Sequence, residues 1–498
     1  MDIDHILKES ELENHIPLMG LTLQSGKDEF LQELLRKFSS NSTLLKNRAE
    51  QIYQLRKHDP IQYTDCIESE KILKNYKPTL ESQTGEQQVF FTGEHTKVLN
   101  TVPYMITIFV FLKLYVGPIL ALLSPFFLFI MPWFILQYTM NIKMPWHVYM
   151  GMMKSMIFGI QNSEPWGLRH YTQVLWTCLS IGQGIVQPLI TAYHTHKTDL
   201  LIVKRGNALI HFVSRGQTIL ERLQQYGSIS RHLLFPEIPT EVREAAAWID
   251  SEPLGMKQIW HIWGQIDILC TLAKDTRWKK VEWTTQSNLE LTGASDLAIS
   301  EKNAILSDLS LSSHSLLTGP NRGGKSSSLR AILQQVLLGQ TFGLTYKTEG
   351  SWSPFRMIFT RLKSKDHAGK ESLFEMEVRM ASHILHSLET LNLKKKGQSL
   401  ILIDELFHST NPPDAETSAR IFLNKLWTYS NAKSIISTHI FALCEEKQIE
   451  HGSVKTLCCP ATEHEDGSIH YSYKLTPGIC SVSSVREVLQ ENGMIYCA

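Results

Sequence analysis

An excess of charge of either sign is absent: lysine plus arginine and aspartate plus glutamate number 49 each, so the formal net charge is zero. No global basic field argues for nucleic acid, and any such contact has to come from a local patch. Cysteine is sparse. Eight are scattered through 498 residues with no C-x-x-C pair and only Cys458-Cys459 adjacent. That pattern argues against a zinc site or a disulfide framework and points to a reducing compartment. The opening residues, MDIDHILKESELEN, are acidic and polar, so no secretory signal peptide is expected. The last absence is local: from Val102 to Met140 the only charged side chain is Lys113.

That uncharged stretch changes solvent. A hydrocarbon core of about 30 Å takes about 20 apolar helical residues, so 101–141 has the length of a transmembrane helical hairpin. Pro118, Pro125 and Pro132 would break a soluble helix but are better tolerated in lipid. Tyr104, Trp133, Tyr138 and Trp146 are placed to meet the interfaces. Ile119–Met140 is the firmer half; the first half carries Lys113 and reads as a poorer span or an interfacial helix. The alternative is an unusually apolar buried core. Thr172–Tyr193 is also uncharged but holds three glutamines and two glycines, and is read as a buried helix, with a further span as the alternative.

Around this stretch the chain is amphipathic and helical. Apolar residues recur at helical spacing in 30–35 and 44–55, separated by the cap and loop signal Ser39-Ser40-Asn41-Ser42-Thr43. In KQIWHIWGQIDILCTLAK, the residues Ile259, Ile262, Trp263, Ile266 and Leu269 form one apolar stripe.

Chemistry enters with Gly319-Pro320-Asn321-Arg322-Gly323-Gly324-Lys325-Ser326-Ser327, which fits the phosphate-binding spacing G-x-x-x-x-G-K-[ST]. An apolar run (Leu309, Leu311, Leu316, Leu317) precedes it and a helical pattern (Leu329, Ile332, Leu333, Val336) follows. The glycines let the backbone turn and aim N–H groups at phosphate oxygens. Lys325 is expected to reach the phosphates and the Ser326 hydroxyl to hold Mg²⁺. Further on, Leu400-Ile401-Leu402-Ile403-Asp404-Glu405 reads as a buried parallel strand ending in carboxylates. Such an end is where α/β sheets bind ligand. Asp404 is expected to complete the Mg²⁺ shell and Glu405 to orient or deprotonate the attacking water. Ser434 to His439 reads as another short strand, and His439 as a γ-phosphate sensor or a structural histidine. Met357 to Thr360 reads as a strand, Lys363 to Glu371 as a polar loop, and Phe374 to Leu385 as a helix. Lys394 to Gln398 reads as a solvated turn. The tail is expected to hold a hairpin around Asp466-Gly467, the strand IHYSYKL and a final short helix.

With these residues in view, the chain resembles the MutS family of DNA mismatch-repair ATPases. TGPNRGGKSS is similar to the family's TGPNMGGKST, with Arg322 and Ser327 as departures. IFTRLKSKD…ESLFEME is similar to its IFTR…D…STF…E signature, which sets Ser372, Phe374 and Glu377 in register. LILIDELFHSTNPPDA resembles its Walker B strand and loop, DE-x-GRGT-S-T-x-DG, and STH its switch histidine. YKLTPGICSVSSVREVLQENG resembles its closing segment. More weakly, IDILCTLAK with Asp267 and LLRKFSSNSTLLKNRAEQIYQL resemble the two ends of the family's lever domain. Phe407-His408-Ser409 stands for Gly-Arg-Gly, and Gly293-Ala294-Ser295 for Arg-His-Pro. Phe235-Pro236-Glu237 fits Phe-x-Glu but lies out of place and is discounted. No mismatch-reading segment is found.

The resemblance implies a P-loop NTPase domain of the ABC/MutS type at 285–498, preceded by an all-α lever. The lever's start is expected in 1–100 and its remainder in 142–284, interrupted by the hairpin. Its two halves must share one side of the membrane, which requires an even number of spans. The implied function is ATP binding and hydrolysis with Mg²⁺, coupled to binding of mismatched or otherwise irregular DNA. A homodimer through the ATPase domains is implied, with Ser372 acting on the partner's nucleotide or, alternatively, capping its own helix. The soluble parts are expected on the ATP-containing, cytoplasmic side of a membrane. A membrane-tethered nucleotide switch or transport-type ATPase without DNA is the alternative.

Overall fold

The computed structural model describes residues 3–15, 19–75, 89–91, 93, 95–158, 168–226, 233–286, 288–362, 372–393, 397–444, 454–464 and 468–494. The expected loop Lys363–Glu371, the turn at 394–396 and the turn at Asp466-Gly467 lie outside them. The chain divides into two compact units that cut across its sequential segments. One unit comprises Met1–Gln62, Ile219–Leu233 and His261–Ala498; the other comprises Tyr63–Thr218 and Leu234–Trp260.

The first unit is α/β. Among the described residues its main sheet has six strands in the order Thr476–Pro477, Val454–Cys458, His314–Thr318, Ala432–Ser437, Gln398–Ile403 and Phe355–Arg361. All neighbours are parallel except the edge pair Thr476–Pro477 with Val454–Cys458. Strands covered on both faces read as continuous apolar runs, and the period of two then sorts each residue to a face. Leu317, Leu400, Leu402 and Ile435 join the core around the helix Lys325–Phe342. Leu316, Ile401, Ile403 and Ile436 join the opposite core, under Leu373–Leu393 and Pro412–Leu426. The apolar run before the glycine loop is two strands rather than one. Ser307–Leu311 belongs to a separate four-stranded sheet, and the chain turns at Ser312-Ser313 before His314–Thr318.

The N-terminal helices Gln24–Arg36 and Ser42–Leu55 form where expected. They belong to this unit: Phe30, Leu34, Ala49 and Ile52 share a core with Leu333, Val336 and Leu337. Asn41 caps the second helix, accepting the Thr43 and Leu44 N–H groups at 3.0 and 3.2 Å. The first helix has no cap of its own. Asp267, fully buried on the helix Pro253–Lys274, supplies one by accepting the N–H groups of Thr22 and Leu23.

The second unit is helical. Its apolar stretch corrects the expected hairpin. Met105–Thr139 is one helical run of 35 residues with no reversal inside it. The prolines bend the hydrogen-bond pattern instead of turning the chain. Each removes one N–H donor. Five-residue π turns at Leu112–Val116 and Phe126–Ile130 precede Pro118 and Pro132. The Ser124 hydroxyl donates at 2.7 Å to the Ala121 carbonyl, the acceptor that Pro125 leaves without a backbone partner. The helix is rooted at its start, where Ile106 and Val110 pack with Val89, Ile202 and Ala246. Thr107 donates to Glu241, which caps Val242–Ser251, while Arg243 pairs with Asp199 through two bonds of 2.7 and 2.8 Å. Beyond that root, only 6% of its most apolar window is buried.

The expectation of a buried helix at Thr172–Tyr193 is also corrected. This segment belongs to the 58-residue helix Leu168–Gln225, and Leu175, Trp176, Leu179, Val186 and Ile190 are exposed. Its glutamines and glycines are too few to stop it presenting an apolar surface. The described residues thus contain two helices long and apolar enough to cross a membrane.

Candidate functional site, a nucleotide pocket at the glycine loop

The strand His314–Thr318 is wholly buried and delivers the chain to the loop at the carboxyl edge of the sheet. Gly319 and Gly324 have φ of +147° and +94°, which L side chains adopt only with strain. A Cβ at Gly319 would lie 3.0 Å from the Cys459 carbonyl oxygen. Lys325 opens the following helix and is buried, its ammonium donating to the Gly319 and Pro320 carbonyls at 2.8 and 3.0 Å. Burial pulls this ammonium below its ordinary value, and the Asp404 and Glu405 carboxylates oppose the shift.

The carboxylates arrive from two strands over. Asp404 and Glu405 follow the end of Gln398–Ile403, and Asp404 accepts hydrogen bonds from Ser326 Oγ and Ser437 Oγ. Ser326 and Asp404 thus stand together although 78 positions apart. Their oxygen-only donor set suits a hard divalent cation such as Mg²⁺. Glu405 has φ +54° and is pinned by its own N–H to Ser437 Oγ at 2.8 Å. His439, just beyond Ala432–Ser437, brings Nε2 to 3.5 Å from Glu405 Oε1. That imidazole, helped by the charges around it and opposed by burial, holds the Glu405 carboxyl below its usual range.

Lys325, Ser326 and Glu405 face a cavity of about 530 Å³, lined by Pro320 to Ser328 and Glu405 together with Asp296, Ile305, Leu309 and Tyr473. One wall is charged and hydrogen-bonding; the other is apolar and aromatic, as a nucleotide requires. Ser372 is brought elsewhere. It forms a reciprocal capping box, its hydroxyl accepting Glu375 N–H at 3.2 Å and Glu375 accepting Ser372 N–H at 3.1 Å. It is exposed and does not line its own chain's cavity.

Over residues 315–494 the chain matches the model of MutS domain V. It is 32% identical over 165 residues to the DNA mismatch repair protein MutS of Leuconostoc mesenteroides, covering 33% of this chain and 18% of that protein. It is 32% identical over 217 residues to the mitochondrial DNA mismatch repair protein MSH1 of Arabidopsis thaliana, covering 42% of this chain and 18% of the relative. With MutS of Treponema pallidum it shares 27% over 237 residues, 44% of this chain and 25% of the relative. Residues 315–494 belong to the MutS family as its domain V. Its matches span a quarter or less of these relatives' length.

Against the MutS pattern, several residues around the site make contacts that the sequence did not show. Glu377, only 2% exposed, receives Arg361 at 2.6 Å, His408 at 3.0 Å and the Ser409 hydroxyl at 2.7 Å. His408 here stands where the family has arginine, so an imidazole faces the buried carboxylate. Phe407 stands where the family has glycine and keeps a glycine-like φ of +52°. Such strain costs about 1 kcal/mol. Packing of its buried ring near Phe374 and Phe422 opposes that cost. Arg322, the departure in the loop, is paired at 2.7 Å with Glu491 of the helix Val485–Glu491. Family register marked the first three positions, but nothing local marked Tyr473 or Glu491.

Proposed function

We propose that this MutS-family chain binds and hydrolyses ATP, is held in a membrane by two helices, and acts as a homodimer on irregular DNA. The observation that carries the ATPase reading is that Lys325, Ser326 and Glu405 line one cavity, with Asp404 bonded to Ser326 and His439 Nε2 3.5 Å from Glu405. Lys325 binds the β- and γ-phosphates, exchanging loop carbonyls for phosphate oxygens. Ser326 and Asp404 would hold Mg²⁺, which when bound neutralises charge on the phosphate oxygens. Glu405, kept ionised beside His439, orients the attacking water and accepts its proton at a carboxylate oxygen. His439 positions Glu405.

The membrane reading rests on the exposure of Met105–Thr139 and of the apolar part of Leu168–Gln225. Two crossings return the chain to the side it left, so everything outside them shares the ATP-containing, cytoplasmic side. This reading keeps an even number of spans, taking the second crossing after residue 168 in place of a tight hairpin. Action on DNA is proposed from the relatives, which are named as DNA mismatch repair proteins, and dimerisation from the family resemblance. In a dimer the exposed N-terminus of Leu373–Leu393, with Ser372 at its cap, is suited to meet the partner's phosphates.

The decisive experiment measures ATPase rate of the purified full chain with and without heteroduplex or branched DNA, and retention on that DNA across a salt series. Stimulation and an affinity that falls with salt are expected. ATP hydrolysis with no retention at low salt would replace this reading by a membrane-tethered nucleotide switch that acts without DNA, the reading the balanced charge favours.

A further inference from the structure

The helix Val485–Glu491 has no footing in the core: none of its seven residues is buried. A helix this short does not hold itself together in water. Side chains attach it instead. Glu487 accepts the Ile469 N–H at 3.1 Å and the Tyr471 hydroxyl, and Arg486 lies 3.7 Å from Glu463. These bonds join the helix to the strand pair Ala461–Glu463 and Ile469–Tyr471. The remaining bond has a different destination. Glu491 receives Arg322 of the glycine loop at 2.7 Å.

Arg322 stands inside the loop that faces the nucleotide cavity, and it lines that cavity. Its φ of +66° is one that an L side chain keeps only with strain. A guanidinium is matched to phosphate, since two of its N–H groups can bind one phosphate together. The methionine of the family's loop has no such group. Glu487 and the Tyr471 hydroxyl also act on the charge of Arg322, beside Glu491. Both side chains of the Arg322–Glu491 pair are half-exposed. Such a pair is worth little net, so a phosphate of higher charge competes well for the guanidinium.

We propose that Arg322 is a latch shared between Glu491 and the phosphates of a bound nucleotide. Pairing with Glu491 fastens the helix Val485–Glu491 to the glycine loop, and pairing with a phosphate frees it. Occupancy of the pocket is thereby reported to a surface helix. This inference rests on the reading of the pocket as an ATP site, and the test keeps the two apart.

Hydrogen–deuterium exchange of amides 486–491, read by mass spectrometry on the purified full chain, follows the helix. Equilibrium titration gives the affinity for the magnesium complex of adenylyl imidodiphosphate, which is not hydrolysed. Saturating nucleotide should speed exchange in wild type about two- to fivefold, the range an exposed ion pair allows. Arg322→Met should show the faster exchange with or without nucleotide. Glu491→Gln should do the same and also bind nucleotide about two- to fivefold more tightly, because the competing carboxylate is gone. In the Arg322→Met background, Glu491→Gln should leave affinity unchanged. Exchanging the two charges, Arg322→Glu with Glu491→Arg, should restore slow exchange that nucleotide no longer speeds. Exchange in wild type that saturating nucleotide leaves unchanged overturns the latch. So does equal tightening by Glu491→Gln with and without Arg322, which would mark a general field of the carboxylate. Failure of wild type to bind nucleotide refutes the ATPase reading and the latch with it, whereas binding with the helix still protected refutes the latch alone.

Discussion

At the residue scale, chemistry divides sharply between neighbours in one pocket. Lys325→Ala removes the cation from the phosphate cradle and should weaken ATP binding on the order of a hundredfold, as two lost charge-assisted bonds imply. Glu405→Gln keeps the cradle and the Ser326–Asp404 pair. It should bind ATP nearly as wild type while turnover falls by roughly 10²–10⁴-fold. Equilibrium binding of a fluorescent ATP analogue beside steady-state hydrolysis checks both. Equal loss of affinity in the two variants would overturn the roles. Behind the pocket strand, His314 is buried and hydrogen-bonded to Ser434 at 2.9 Å, and burial pulls its pKa to about 4 from 6.5. Between those values the unfolded chain takes up a proton that the folded chain refuses. The residue's contribution is therefore full above 6.5 and is lost as pH falls toward 4, with about 2 kcal/mol gone by about pH 5. Urea midpoints at the two pH values should show this loss, and His314→Gln should flatten it.

At the element scale, the helix Gln24–Arg36 depends on a cap from 244 positions away, the Asp267 carboxylate on Leu23 N–H at 2.9 Å. Asp267→Ala leaves buried N–H groups without an acceptor and should cost about 2–4 kcal/mol. Gly26→Ala should be comparable, because its Cβ would meet Asp267 Oδ2 at 1.9 Å. Chemical denaturation of the two variants and their double mutant tests the shared mechanism, since the effects should not add. Sequence periodicity located this helix and its partner Ser42–Leu55. It did not locate the cap, since a distant carboxylate leaves no trace in local spacing. The apolar helix shows the same limit. Lack of charge identified the stretch, but whether its prolines turn the chain or merely widen a helix depended on the Ser124 hydroxyl and the π turns.

At the scale of the whole molecule, the glycine-loop pocket and the apolar helix Met105–Thr139 belong to different compact units. Phe109 and Thr191 line one groove, so the chain can be rejoined there. Replacing residues 112–188 by a short polar linker should give a chain that stays in solution without detergent and still hydrolyses ATP. Loss of ATPase activity in a folded product would show that the first unit needs the deleted helices. A shared active site predicts that Lys325→Ala and Ser372→Ala chains, each nearly inactive, recover turnover when mixed. The mixed dimer has one site with intact Lys325 from one subunit and intact Ser372 from the other. No recovery after confirmed subunit exchange would leave Ser372 as a helix cap alone. Residue order alone was enough for the phosphate loop, the acidic strand end and the family, because a phosphate cradle is built from consecutive backbone N–H groups and so must be contiguous. It was enough, too, to show that two stretches carry almost no charge. That Ser326 meets Asp404, that Glu405 meets His439, that Ser372 caps its own helix, and that Arg322 meets Glu491 came from the folded chain. Most of those pairings join residues far apart in sequence, and packing of helices against a sheet or against each other sets which distant side chains converge.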